Sequence, residues 1–148
     1  MAKLFNTLLF GGVGTNSKLG DIGLTILRVG AGVQLAVLHG WVKVYDDGNW
    51  GPPSGLLSST ENLGFPAPLL FAWCAMLAEF LGGILLALGL FTRPAAFLIM
   101  STMTVAAFGA HARDPWETKE KALLYLFVAI FFLLAGGGKF AIDRYFRR

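Results

Sequence analysis

Long apolar runs alternate with short polar breaks along the chain. Four of the runs reach the length of a bilayer-spanning helix, about 20 residues with roughly 17 to 25 tolerated. The first covers about 22–41, opens after Asp21 as an N-cap and closes on Trp41 and Lys43. The second covers about 67–91, after a Phe65-Pro66-Ala67-Pro68 entry. A tight Thr92-Arg93-Pro94 turn then leads into a third run, 94–112, with Pro94 in the first helical turn, where its missing N–H is harmless. The fourth covers 121–138. A soluble helix would show a polar stripe at every third or fourth position. Here Ala122 to Ala135 contains no charge, and only the Tyr125 hydroxyl is polar. The pattern predicts an all-α, integral membrane four-helix bundle. Ahead of it, Leu4, Phe5, Leu8, Leu9 and Phe10, interrupted by Asn6 and Thr7, predict a short interfacial N-terminal segment and not a cleaved signal peptide.

Composition supports this picture and narrows it. A chain of 148 residues has room for one domain, 1–148. Apolar residues make up 55% and charged residues 14%, with a mean hydropathy of +0.64, whereas soluble domains carry roughly a quarter charged residues. The net charge of +3 comes from dispersed basic residues that end in a tail of Lys139, Arg144, Arg147 and Arg148, which reads as an anchor on anionic headgroups and not as a nucleic-acid site. With four spans, Lys3, Lys18, Arg93 and that tail fall on one side, while Lys43, Arg113, Lys119 and Lys121 fall on the other. The excess of lysine and arginine predicts both termini in the cytoplasm. Cys74 is the sole cysteine, which excludes an intrachain disulfide, and two histidines alone give no metal site. Trp41, Trp50, Trp73 and Trp116 fall near the predicted exterior boundaries, as an aromatic belt would.

Ionisable residues at membrane depth cost about 2.5–3.5 kcal/mol on insertion scales and face a partner or a cavity. Arg28 and Glu79 are the two that need an account. On antiparallel neighbouring helices their backbones differ in depth by roughly 7–8 Å, which a long arginine spans, so they form a candidate buried pair. The competing reading has Arg28 reaching to the headgroups and Glu79 neutral and hydrogen-bonded. His39 and Lys43 share the Arg28 face of the first helix within ~60°. His111 ends the third run on the same exterior side. Arg28, His39, Lys43, Glu79 and His111 are therefore the candidate ligand-binding residues, suited to a quinone head, an oxoanion or a partner's side chains. Gly82-Gly83 and Gly89 sit at helix-packing positions, and Gly136-Gly137-Gly138 reads as a helix end.

Taken in order, Leu27-Arg28-Val29-Gly30, His39-Gly40 with Lys43, Glu79-Phe80-Leu81-Gly82-Gly83, Leu88-Gly89-Leu90-Phe91-Thr92-Arg93, His111, Glu120-Lys121-Ala122 with Tyr125, and Gly136 and Gly138 ahead of Asp143 resemble the DoxX family over about residues 20–145. That family of small bacterial membrane proteins is related to the small membrane subunit of thiosulfate:quinone oxidoreductase. The resemblance implies a four-helix bundle linked to redox or sulfur metabolism and, in some actinobacterial members, a membrane partner for a superoxide dismutase and a sulfurtransferase. A chain without a cysteine pair departs from the thiol-oxidising relatives and has no dithiol chemistry of its own.

Two functions are expected from these residues. One is the membrane subunit of a redox or sulfur-metabolism complex, with a buried polar site for quinone or a small ligand. The other is a non-catalytic structural or assembly subunit of a larger membrane complex. A small transporter is weaker, because four short helices offer little pathway. The expected partners are the lipid bilayer and other protein subunits or a homo-oligomer. Whether the chain is itself an enzyme is left open.

Overall fold

The structure is a computed structural model that describes residues 17–46 and 48–146. The interfacial segment expected near the N-terminus, Lys3 within it, and Arg147 and Arg148 lie outside the described residues. The element order is α1 (Lys18–Val44), a short hairpin of β1 (Tyr45–Asp46) and β2 (Asn49–Trp50), α2 (Ser54–Asn62), α3 (Pro68–Leu88), α4 (Thr92–Ala110), α5 (Trp116–Ala135) and a 3-10 helix over Ile142–Phe146. The four long helices form the bundle, and α1, α3 and α4 are each long and apolar enough to cross a membrane. The first turns of α5 carry Glu117, Lys119, Glu120 and Lys121, and its apolar stretch begins at Ala122. One end of the bundle holds the hairpin, α2 and the α4–α5 loop, here the loop end. The other holds the α3–α4 corner and the 3-10 helix, here the tail end.

The distribution of side chains is that of a membrane protein. Large apolar residues cover the outside: Leu19, Ile26, Leu38, Leu70, Phe127 and Leu134 are all exposed. The interior is lined by small residues such as Ala72, Ala78, Ala96, Ala107 and Ala129, with a few large side chains, Leu35, Met76, Leu86, Ile99 and Phe132, between them. Lipid is as apolar as leucine, so burial of large side chains gives no net drive, and small residues that bring backbones together dominate the contacts. α1 and α3 show this most clearly. A Cβ on Gly32 would lie 2.6 Å from the Gly83 carbonyl oxygen and the Ala87 nitrogen, and one on Gly83 would lie 2.8 Å from the Gly32 carbonyl oxygen. Gly40 abuts the backbone of Phe80 in the same way. The helices pack in the order α1–α3–α4–α5, and the His39 and Tyr125 rings bring α1 and α5 into contact.

The ends of the helices differ from the sequence expectation in informative ways. Ser17, not Asp21, is the N-cap of α1, its hydroxyl accepting from the Gly20 N–H at 3.5 Å. Asp21 is instead buried in the first turn, 3.6 Å from Lys139. A carboxylate one turn past a cap still suits the positive end of the helix dipole. α3 stops at Gly89 in the left-handed conformation, φ 68°, where a packing position within a run to 91 was expected, and α5 stops at Gly136, φ 70°, at the start of the glycine run read as a helix end. The 42–66 stretch, read as a Gly, Pro and Ser-rich loop, folds into the hairpin and α2. The hairpin is fastened by aromatic contacts of Trp41 with Trp50 at 6.2 Å and of Tyr45 with Trp50 at 5.2 Å between ring centroids.

Candidate functional site

Four of the five candidate residues converge. His39, Lys43, Glu79 and His111 line one cavity of about 220 Å³ at the loop end, together with Tyr125 and Lys121. The helices reach this point for local reasons. His39 and Lys43 lie one turn apart on α1, and Thr118, Lys121, Ala122 and Tyr125 succeed each other at helical spacings on α5, which puts them on one face. Two π-helical stretches flank the cavity: Leu35–Trp41, which contains His39, and Ala106–Ala110, closed by the His111 N–H donating to the Ala106 carbonyl at 2.9 Å. A single π turn inserts a residue and re-aims the side chains beyond it, and such turns gather at functional sites.

At the floor, Lys43 Nζ donates to Glu79 Oε2 at 2.5 Å, with the Glu79 side chain 5% exposed and that of Lys43 29% exposed. A charge-assisted bond of this kind is the strong class of hydrogen bond, and a carboxylate this deep in an apolar bundle requires it. The His39 ring meets the Tyr125 ring edge-on at 5.5 Å. At the rim, His111 Nδ1 is 2.7 Å from Asp114 Oδ2, which leaves Nε2 as the nitrogen available to the cavity. One wall is apolar, formed by Met103, Ala106 and Ala122. Among the described residues no cluster of histidine, cysteine and acidic side chains is arranged to hold a metal ion.

Arg28 is not part of this site, and the expected Arg28–Glu79 pair does not form. The Gly32–Gly83 and Gly40–Phe80 contacts set the α1–α3 register so that Glu79 faces Lys43. Arg28 then falls opposite Leu86 and Ala87, about two turns or roughly 11 Å beyond Glu79. Helical side chains also lean toward the N-terminus of their own helix, which carries Arg28 away from Glu79. Arg28, 2% exposed, donates from Nη1 to the carbonyls of Leu86 at 3.0 Å and Ala87 at 2.6 Å, and from Nη2 to Phe140 at 3.4 Å. Asp143 is its nearby counter-charge.

Asp143 builds the tail end. Its Oδ1 accepts from the Phe91 N–H at 2.7 Å and its Oδ2 from the Thr92 N–H at 2.9 Å, so a residue some fifty positions downstream caps α4, which has no local side-chain cap. Its own N–H donates to the Gly89 carbonyl at 2.8 Å. Phe91 takes a left-handed conformation, φ 48°, and the two bonds from Asp143 hold that strained corner. Sequence reasoning placed Asp143 only in the family pattern. Tyr125 and Lys121 were visible as the polar positions of the fourth helix at i and i+4, and that spacing relative to the cavity was the signal available.

Fold and site together define a membrane-embedded four-helix bundle with a polar pocket near one end. The DoxX family profile matches residues 23–112, more than half of the chain. The chain belongs to the DoxX family. It is 32% identical over 130 residues to an uncharacterized protein of Haemophilus influenzae, covering 83% of this chain and 90% of that one. It is 33% identical over 103 residues to the inner membrane protein YphA of Escherichia coli, covering 61% of this chain and 71% of YphA. No solved structure matches.

Proposed function

We propose that the chain is a bacterial inner-membrane subunit of a redox or sulfur-metabolism complex, in which the loop-end pocket holds a quinone head or another small polar ligand. The observation that carries this reading is the pocket itself. An ion pair of Lys43 and Glu79, two histidines and a tyrosine are gathered between two π-helical turns inside an otherwise apolar bundle. Ionisable groups at membrane depth are retained at a cost and mark ligand or proton sites. In this reading α5 is the fourth crossing, its charged first turns lying at the loop-end interface. Both termini face the cytoplasm, and the pocket opens to the exterior. In this reading the redox partner docks from outside and brings the electron carrier. Arg28 and Asp143 fit a structural role, since the Arg28 donors go to backbone carbonyls and those of the α4 N-terminus to Asp143.

Mild-detergent purification from native membranes tests the assignment. A co-purifying oxidoreductase or sulfurtransferase subunit together with a retained small molecule is the expected result. Recovery of the chain in fixed stoichiometry with non-redox subunits, and without a ligand, would replace this reading with that of a structural subunit.

A further inference from the structure

Resting on the reading of the loop-end pocket as a ligand site, we infer that its ligand is a short-chain monocarboxylate, its head on the donors that the protein leaves unmatched and its alkyl part against Met103, Ala106 and Ala122. Glu79, the acidic residue of the lining, is already engaged by Lys43, and Asp114, outside the lining, is engaged by His111. What remains is donor capacity. The Lys121 ammonium and the Thr118 and Tyr125 hydroxyls line the cavity without a hydrogen bond among the described residues, whereas a neutral His111, its Nδ1–H on Asp114, presents Nε2 as an acceptor. A site with surplus donors selects an acceptor.

Charge, size and access then narrow the class. Counted over the lining residues, with the histidines neutral and Asp114 outside the lining, Lys43 and Lys121 against Glu79 leave one positive charge, which one negative charge balances. A dianion would exceed that balance and be repelled by the Glu79 carboxylate. The cavity of about 220 Å³ corresponds to on the order of seven waters at roughly 30 Å³ each, enough for a carboxylate with a few carbons. The apolar wall rewards those carbons. Thr118 and Lys121 are exposed and His111 is partly so, which places a polar rim at the loop end and brings the ligand from water and not sideways from lipid.

The test uses the full chain in lipid nanodiscs and a saturation-transfer NMR titration with butyrate, with butyramide, sulfate and a short-tailed quinone as parallel arms. Butyrate is expected to saturate and to resist displacement by butyramide or sulfate. Lys121→Ala, an exposed rim substitution, is expected to weaken it by about ten-fold, the loss of a charge-assisted bond. Equal binding of butyramide, displacement by sulfate, or unchanged affinity in Lys121→Ala overturns the carboxylate assignment. Should the quinone alone bind, and be lost in Glu79→Gln, the carboxylate class falls while the pocket stands as a ligand site. Binding of none of the probes counts against both.

Discussion

Lys43 and Glu79 form an ion pair with an unequal footing: the carboxylate is almost fully enclosed, whereas nearly a third of the lysine side chain reaches the surface. Removal of either partner therefore has a different consequence. Lys43→Met strands Glu79 in an apolar bundle, while Glu79→Gln leaves a lysine that can extend toward the headgroups. Loss of one member of a buried pair costs about 3–5 kcal/mol, reduced here because the lysine is partly exposed. Lys43→Met is expected to lower the thermal midpoint in detergent more than Glu79→Gln, and the double variant is expected to recover part of the loss. Equal effects of the two single variants would contradict the unequal burial.

Arg28 and Glu79 provide a direct check on the helix register. They share no partner, so Arg28→Leu and Glu79→Gln should be additive within roughly 0.5 kcal/mol in a double-mutant cycle. A coupling of about 1.5 kcal/mol or more, on the order expected for a charged hydrogen bond, would restore the pairing that helix depth alone suggested.

Asp143 holds the α3–α4 corner, and its two oxygens take two separate N–H groups. Asp143→Asn retains one acceptor but places an NH₂ group against the second donor. It is expected to cost about 1–3 kcal/mol, the range for a lost cap and an unmatched buried donor. Thermal unfolding and limited proteolysis at residues 89–93 measure it; a wild-type midpoint would show that the 3-10 helix is a passive tail.

Gly83 lies where α1 and α3 touch through their backbones. Gly83→Leu would drive its side chain into Gly32 and Ala36, so the helices must separate. A loss of about 1–3 kcal/mol or more is expected, the ordinary cost of overpacking, read as a drop in the monodisperse fraction on size exclusion. At Gly23, where a Cβ meets nothing within 4 Å, the same replacement is expected to be neutral.

The four helices were legible in the chain because apolar runs of the required length reflect bilayer thickness alone. The polar mouth was legible in part: His39, Lys43 and His111 share one end by simple counting of helical rise. The pairing of Arg28 was not, because it depends on an axial offset fixed by Gly32, Gly40 and Gly83, and a glycine advertises close approach without naming its partner. The π turns at Leu35–Trp41 and Ala106–Ala110 escaped for a similar reason, since they arise from how the helices pack and not from a local residue signal. The cap from Asp143 joins segments far apart in the chain, which no local capping rule reaches.

Native mass spectrometry of the wild type and Lys121→Ala, released from mild detergent, tests the pocket as a ligand site most directly. The wild type is expected to carry a small-molecule adduct that is lost or much reduced in Lys121→Ala, with the helical circular dichroism of the two unchanged. An adduct-free wild type, or an adduct retained undiminished in Lys121→Ala, would contradict it.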